Sequence, residues 1–381
     1  MPVEQILTNA RIVTAEQEFV GTLLLRDGLI VQVDEGVSGL PQAQDLGGDY
    51  LLPGLVELHT DNLEKYMSPR PGVDWPSASA VLTHDAQIVS AGITTVFDAL
   101  AIGDVNPRGK RMQQLPAMLE AIAAAAQAGQ MRADHRLHLR CEVCHPDTLA
   151  VFRDLVEHPL VQLVSVMDHS PGQRQFAKED KYREYYIGKY HLSEAEMDAF
   201  IREQVVNSRQ HSDRQRRAIV ADCQARGISV ASHDDASLEH VQESAGFGMA
   251  IAEFPTSLDA ARASHELGLK VLMGAPNIVR GGSHSGNVAA AELARHGVLD
   301  ILSSDYYPAS LLQAAWLLAG QDNGYDLPRA IATVSLLPAR AAGLDDRGEI
   351  RVGLRADLVQ AQVHEGQTVI QQVWRQAKRV F

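Results

Sequence analysis

The run Leu51-Leu-Pro-Gly-Leu-Val-Glu-Leu-His-Thr-Asp61 decides how this chain reads. A Pro53-Gly54 turn signal feeds a short apolar stretch that ends in His59-x-Asp61. Residues i and i+2 of a strand project to the same side. An imidazole nitrogen and a carboxylate oxygen therefore leave the carboxyl end of the strand together. That pairing suits a divalent ion such as zinc or manganese. The expectation is a metal site at the mouth of a barrel, with the remaining ligands at the ends of later strands.

Downstream, apolar strands alternate with helical stretches, the pattern of a parallel sheet. The spacing predicts strands at Leu51–Leu58, Thr94–Phe97, Leu137–Val143, Leu160–Met167, Ile228–Ser232, Met249–Phe254, Lys270–Met273 and Leu299–Ser303. Such a series predicts an α/β fold, a (β/α)₈ TIM-type barrel. Pro171 to Gly227 is a long insertion between the fourth and fifth strands. It opens on Arg174, Phe176, Lys178, Lys181, Tyr182, Arg183, Tyr185, Tyr186 and Lys189, which read either as a lid or as a solvated charged surface. A helix then starts at Ser193, where Glu196 completes a capping box.

Both ends of the chain read as short strands, with a hairpin signal at Asp27-Gly28 and a matching C-terminal stretch from Gly348 to Trp374. The expected organisation is a composite β-sandwich from residues 1–50 and 346–381 beside a barrel over 51–345.

The chain has 381 residues, 45% of them hydrophobic, enough for one large barrel and a small accessory domain. Its formal charge of -14 argues against nonspecific binding to nucleic acid or an anionic membrane. An anionic substrate stays compatible, because a bound metal and a local basic cluster reverse the potential inside a cleft. No apolar run is long enough for a transmembrane helix. Met-Pro-Val-Glu-Gln-Ile lacks the pattern of a secretory leader. Cys141, Cys144 and Cys223 argue against a disulfide framework and for a reducing cytoplasm.

Several predicted strands end in metal-binding groups: His59 and Asp61, Glu142, Asp168 and His169, His233 with Asp234 and Asp235, Glu253, and Asp305. Barrels of this kind build their catalytic face from the carboxyl ends of strands. A lone histidine there is usually just hydrogen-bonded, and a lone aspartate usually caps a helix or a turn. Asp234 and Asp235 fit a cap and a supporting partner. The joint pattern carries the argument, since carboxylates buried together need a compensating cation. Cys141-x-x-Cys144 resembles half a zinc site, but strand alternation sends the two thiols to opposite faces, and packing is the simpler role.

The segment Gly274-Ala-Pro-Asn-Ile-Val-Arg-Gly-Gly-Ser-His-Ser-Gly-Asn287 follows the seventh strand. Its Gly281 and Gly282 let backbone N–H groups approach a phosphate, and Arg280, Ser283 and His284 can donate to it. Lys65 and Arg70 lie in a proline-stiffened loop after the first strand, either as a wall of the cavity or as further phosphate contacts.

The opening hairpin, the Leu51–His59 run and Gly348-x-Ile-x-x-Gly-x-x-Ala-Asp-Leu-Val359 resemble the amidohydrolase superfamily. Glu57–Glu64, Pro69–Pro76, Met167–Gln173 and Asn277–Asn287 resemble more narrowly its diphosphatase branch in the carbon–phosphorus lyase pathway. The resemblance implies a (β/α)₈ barrel with a flanking β-sandwich. It implies hydrolysis of an anionic ribosyl triphosphate, α-D-ribose 1-methylphosphonate 5-triphosphate, to the 5-phosphate and pyrophosphate. It also implies one or two divalent ions, zinc first, with manganese or magnesium also compatible.

Carried over residue by residue, His59 and Asp61 are the strand-one ligands, Asp61 departing from the usual second histidine. Glu142 stands in for the bridging carboxylate, since no lysine ends the fourth strand, and His169 or His233 serves the second metal. Asp305 binds metal and takes the proton of the attacking water. Other readings are hydrolysis of a cyclic amide or N-acetyl sugar on the same platform, or a noncatalytic scaffold. Retention of so many ligand types argues against the last. A homodimer is compatible with the sequence.

Overall fold

The computed structural model describes residues 4–104, 109–174, 179–190, 192–283, 286–320 and 323–381. The chain forms two compact units. One comprises Met1–Asp98, Ala121–Arg136 and Met273–Phe381; the other comprises Ala99–Glu120 and Leu137–Leu272.

The chain opens with β1 (Glu4–Val13), β2 (Glu18–Arg26), β3 (Leu29–Glu35), β4 (Gln44–Asp45) and β5 (Tyr50–Pro53). The alternating series begins with β6 (Leu55–Thr60), α1 (Leu63–Met67), α2 (Ser77–Ser90), β7 (Ile93–Ile102), α3 (Arg111–Gln127) and β8 (Asp134–Glu142). Next come α4 (Thr148–Leu155), β9 (Val161–Met167), α5 (Glu179–Tyr190), α6 (Glu194–Gln224), β10 (Ser229–His233), α7 (Leu238–Gly246) and β11 (Ile251–Glu253). The series ends with α8 (Leu258–Glu266), β12 (Lys270–Gly274), α9 (Ala275–Arg280), α10 (Ala290–Arg295) and β13 (Ile301–Ser303). After α11 (Ser310–Gly320), α12 (Leu327–Ala332) and α13 (Leu336–Ala341), the chain closes with β14 (Leu358–His364), β15 (Gln367–Arg375) and β16 (Lys378–Arg379).

The strands fall into two sheets. One runs β16-β15-β14-β5-β1-β2-β3, with β4 beside β1, and draws on both ends of the chain. The other is the parallel series β13-β12-β11-β10-β9-β8-β7-β6. Thr60, at the end of β6, bridges Asp305, just past β13, so the series curls back towards its own first strand. All six residues of β6 and all ten of β7 are buried, as strands covered on both faces require.

The run Leu51–Leu58 is not one strand. Leu51 pairs with Ile12 and with Gln360 in the terminal sheet and packs with Leu7, Leu23, Leu358 and Trp374. Gly54 marks the break between β5 and β6. A Cβ there would stand 2.3 Å from Thr94 Oγ1, so only glycine allows this approach.

Among the described residues, the 171–227 interval holds α5 and α6. Ser193 and Glu196 close the expected capping box on α6: Ser193 N donates to Glu196 Oε2 at 2.8 Å and Glu196 N to Ser193 Oγ at 3.3 Å. Tyr182 and Tyr186 are buried against Met197 and Phe200, so this stretch is not a solvated surface throughout. Phe176 and Lys178 lie outside the described residues. Among the described residues, no helix is long and apolar enough to cross a membrane.

Candidate metal centre

In the first unit, the ends of β6 and β13 are stitched together by backbone. Asp305 N donates to His59 O at 3.1 Å, Asp61 N to Asp305 O at 3.3 Å, and Thr60 Oγ1 to Asp305 O at 2.8 Å. His59, Asp61 and Asp305 are thereby carried on one braced piece of backbone. Asp305 sits at φ 54°, a left-handed conformation that aspartate tolerates better than most residues. Behind them, Glu57 is fully buried and accepts from His59 N at 2.7 Å and Ser304 N at 2.5 Å. Burial raises its carboxyl to about 7 against the pull of those amides.

Lys65 donates to the carbonyl of Tyr306, the residue after Asp305, and, at 3.3 Å, to Asn62 Oδ1. Arg70 is exposed and lines a cavity of about 550 Å³ with Tyr66 and Trp75.

The stretch after β12 differs from the loop expected. Pro276 falls in the first turn of α9, where its fixed φ suits a helix start, and Gly281 caps the helix at φ 80°. Gly281 N donates to Ile278 O at 3.1 Å and Gly282 N to Asn277 O at 2.8 Å. Both amides are committed to closing the helix, so in this conformation they do not form a phosphate cradle. Arg280 is exposed in the last turn, Ser283 follows it, and His284 lies outside the described residues.

The second unit holds a denser cluster. Glu142, at the end of β8, accepts from His169 N at 2.9 Å through Oε1 and faces His169 Nδ1 at 2.5 Å through Oε2. His169 Nε2 lies 3.4 Å from Asp234 Oδ2, and His233 Nε2 lies 3.5 Å from the same oxygen. His233 Nδ1 is 3.1 Å from Glu253 Oε2. His138 Nδ1 is 3.9 Å from Glu253 Oε1, and its Nε2 meets Ser165 Oγ at 2.9 Å.

Burial depresses the basicity of His169, but the charges of Glu142 and Asp234 outweigh it and lift the imidazole to about 10. His233 moves down, chiefly by burial. Asp234 is lowered: burial opposes ionisation, but His233 and His169 outweigh it. Donor atoms of His169, His233 and Asp234 all lie within 4.8 Å of one another, as do those of Glu142, Cys144 and Asp168. Buried imidazoles and carboxylates this close fit a divalent cation, which would replace the protons now shared between them.

A second layer fixes the cluster. Arg174 is buried in contact with Asp235 and reaches Glu243 at 3.0 Å, while Arg216 reaches Glu243 at 3.1 Å and Asp168 at 3.8 Å. Asp168 also accepts from Ser170 Oγ and, at 3.2 Å, from Ser208 Oγ.

A curated relative, alpha-D-ribose 1-methylphosphonate 5-triphosphate diphosphatase of Escherichia coli (strain K12), is 54% identical over 377 residues, covering 99% of this chain and 100% of the relative. The chain belongs to that diphosphatase family. No family model matches it. Among solved structures, 5-methylcytosine deaminase from Klebsiella pneumoniae superposes with TM-score 0.67 at 16% identity, over 99% of this chain and 97% of the other. N-acetyl-D-glucosamine-6-phosphate deacetylase from Mycobacterium smegmatis gives TM-score 0.63 at 15% identity, over 99% of each chain. An amidohydrolase gives 0.63 at 14% identity, over 99% and 98%. These likenesses show that the chain has the fold of those amidohydrolase structures.

Beyond the six ligands carried over from the resemblance, further residues of this chain stand in or beside the cluster. Asp234, expected as a cap or a supporting partner, faces both His169 and His233; Asp235 has the supporting role, accepting from Ser244 Oγ at 3.0 Å. Glu253 backs His233. His138 lies four residues before Glu142, so strand periodicity puts both on one side, a signal that was available. Cys144 lies past the end of β8, where strand alternation no longer applies, and its thiol donates to Glu142 Oε1 at 3.2 Å. All three thiols are buried; burial holds Cys141 and Cys144 well above the usual range and pushes Cys223 up to about 12. Groups so hard to ionise are poor redox nucleophiles.

Proposed function

We propose that this chain hydrolyses α-D-ribose 1-methylphosphonate 5-triphosphate to the 5-phosphate and pyrophosphate, as a cytoplasmic enzyme of phosphonate use. The observation that carries this reading is the 54% identity to the named diphosphatase over the full length of both chains. His59, Asp61, Glu142, His169, His233 and Asp305 would be the ligands of one or two divalent ions, with Asp234 as an added ligand. Zinc suits this mixed set of imidazoles and carboxylates, with manganese or magnesium as the other options.

A divalent cation bound here would lower the pKa of water from 15.7 towards about 7 and offset the charge of the triphosphate. Asp305 accepts the proton of the attacking water. Lys65, Arg70, Arg280 and Ser283 meet the anionic oxygens of the substrate, and preset donors of this kind are worth about 3 kcal/mol each in barrier reduction.

The test is direct. The purified enzyme is offered the ribosyl triphosphate and, separately, ordinary nucleoside triphosphates, with products followed by phosphorus NMR and metal content measured on the same sample. Pyrophosphate release from the ribosyl compound supports the reading. Release of inorganic phosphate alone, or no turnover by metal-loaded enzyme, overturns it.

A further inference from the structure

A buried cluster in the first unit belongs to none of the candidate ligands above. His84 and Asp85 on α2, Asp98 on β7 and His135 on β8 are all at most 3% exposed. Asp98 Oδ1 lies 2.7 Å from His84 Nε2, and Asp98 Oδ2 lies 2.7 Å from His135 Nδ1. His135 Nε2 lies 3.3 Å from Asp85 Oδ1, which also accepts from the backbone of Arg132 and Ala133. At the other end, His84 Nδ1 lies 3.0 Å from Asn62 Nδ2. That amide also donates to Gln87 Oε1 at 2.7 Å, and Asn62 Oδ1 accepts from Lys65 Nζ at 3.3 Å.

The polarity of this chain is forced from both ends. An ammonium only donates, so the oxygen of Asn62 must face Lys65 and its nitrogen must face His84. His84 Nδ1 then accepts, which leaves the ring proton on Nε2, where a carboxylate receives it. His135 has a carboxylate at each ring nitrogen and is an imidazolium. Burial works against that charge, but Asp98 and Asp85 outweigh it and lift the group to about 9. Each member thus has one proton arrangement, and the Asn62 amide cannot flip without leaving a buried polar group unpaired.

We propose that the His135–Asp98–His84 relay is a positioning device that orients Asn62 and, through it, holds the Lys65 ammonium in place for an anionic phosphate of the substrate. The relay touches no substrate itself. The proposal rests on the proposed function for the identity of that substrate, but the relay and the pyrophosphate site can be tested without it.

Two substitutions at one position separate the halves of the relay. His84→Asn keeps an acceptor where Nδ1 stood and gives up Asp98. His84→Gln keeps a polar group towards Asp98 and removes the acceptor for Asn62. Pyrophosphate affinity of the full-length, metal-loaded protein is read by calorimetry, beside KM and kcat for the triphosphate. His84→Gln is expected to weaken pyrophosphate and raise KM about tenfold with little change in kcat, the size of one lost charge-assisted contact. His84→Asn keeps the acceptor but cuts the tie to Asp98, so its loss should be measurable yet smaller than that of His84→Gln. Lys65→Ala should cause a similar loss, with no further loss when combined with His84→Gln.

Ring-nitrogen NMR of the unmodified protein needs no variant: it should show a neutral His84 protonated on Nε2 and a doubly protonated His135. A proton on His84 Nδ1, equal losses in both His84 variants, no effect of Lys65→Ala, or losses that multiply would overturn the proposal. If the triphosphate is not hydrolysed, the proposed function fails, while the calorimetry and NMR still decide the relay.

Discussion

Glu57 ties two strand ends together: its carboxylate, on β6, accepts the Ser304 amide at 2.5 Å while holding the His59 amide at 2.7 Å. Those two amides belong to the pieces of backbone that present His59 and Asp305. A buried carboxylate is costly, and burial raises this one to about 7, so its retention points to the two amides it satisfies. Glu57→Gln replaces one acceptor oxygen by an NH₂ that faces a backbone donor. The expected cost is about 1–3 kcal/mol of stability, the usual penalty for an unpaired buried group. Turnover should fall as well, because the strand ends are no longer braced. Denaturant unfolding and steady-state kinetics on one preparation check both; an unchanged unfolding midpoint removes the clamp.

Asp305→Asn tests the proposed proton acceptor without disturbing its backbone. Asparagine tolerates the left-handed φ of 54° that Asp305 occupies, so the fold should survive. Loss of the carboxylate should lower kcat by about 10²–10⁴, the range for a general base. The experiment requires circular dichroism and metal content alongside the kinetics. Near-normal turnover in a folded, metal-loaded variant assigns the proton to another group.

Arg174 is 3% exposed and is held by Asp235 and Glu243. Burial pulls its guanidinium down to about 10 despite the neighbouring carboxylates. Arg174→Met leaves Asp235 buried with its cation gone, and breaking such a pair costs about 3–5 kcal/mol. The double variant Arg174→Met with Asp235→Leu removes both charges and should recover much of the loss. If the single variant unfolds at the parental midpoint, this network does not brace the second unit.

Much of the fold was legible in the sequence because its strands are continuous apolar runs between helical stretches, as parallel sheets require. The fold lost clarity where burial has two destinations. Leu51 and Leu58 lie in one apolar run, yet Leu51 serves the core of the terminal sheet, and hydrophobicity carries no label for which core it enters. The stretch after β12 was read by its glycines, although Pro276 was the better guide to a helix start. At the candidate site, residue types at strand ends were visible one strand at a time. The pairings of Asp234 with His169, or of Asp98 with residues on α2 and β8, join positions far apart in sequence, and no local pattern encodes them.

The His135–Asp98 pair gives stability a definite pH dependence. His135 is raised from 6.5 to about 9 because Asp98 and Asp85 outweigh its burial, so its contribution is complete below about 6.5 and is lost as pH climbs through 9. Asp98 moves the opposite way: burial opposes its charge, but His135 and His84 hold it well below the usual carboxylate range. Its contribution is present above 3.8 and fades as pH falls below that value. The groups facing His135 in this cluster are Asp98, Asp85 and the edge of the His84 ring. The melting temperature should therefore drop between pH 7 and pH 10, and His135→Gln should flatten that limb while lowering stability at neutral pH. Parallel melting curves for parent and variant over that range decide the matter: equal slopes would mean that the alkaline loss comes from other groups.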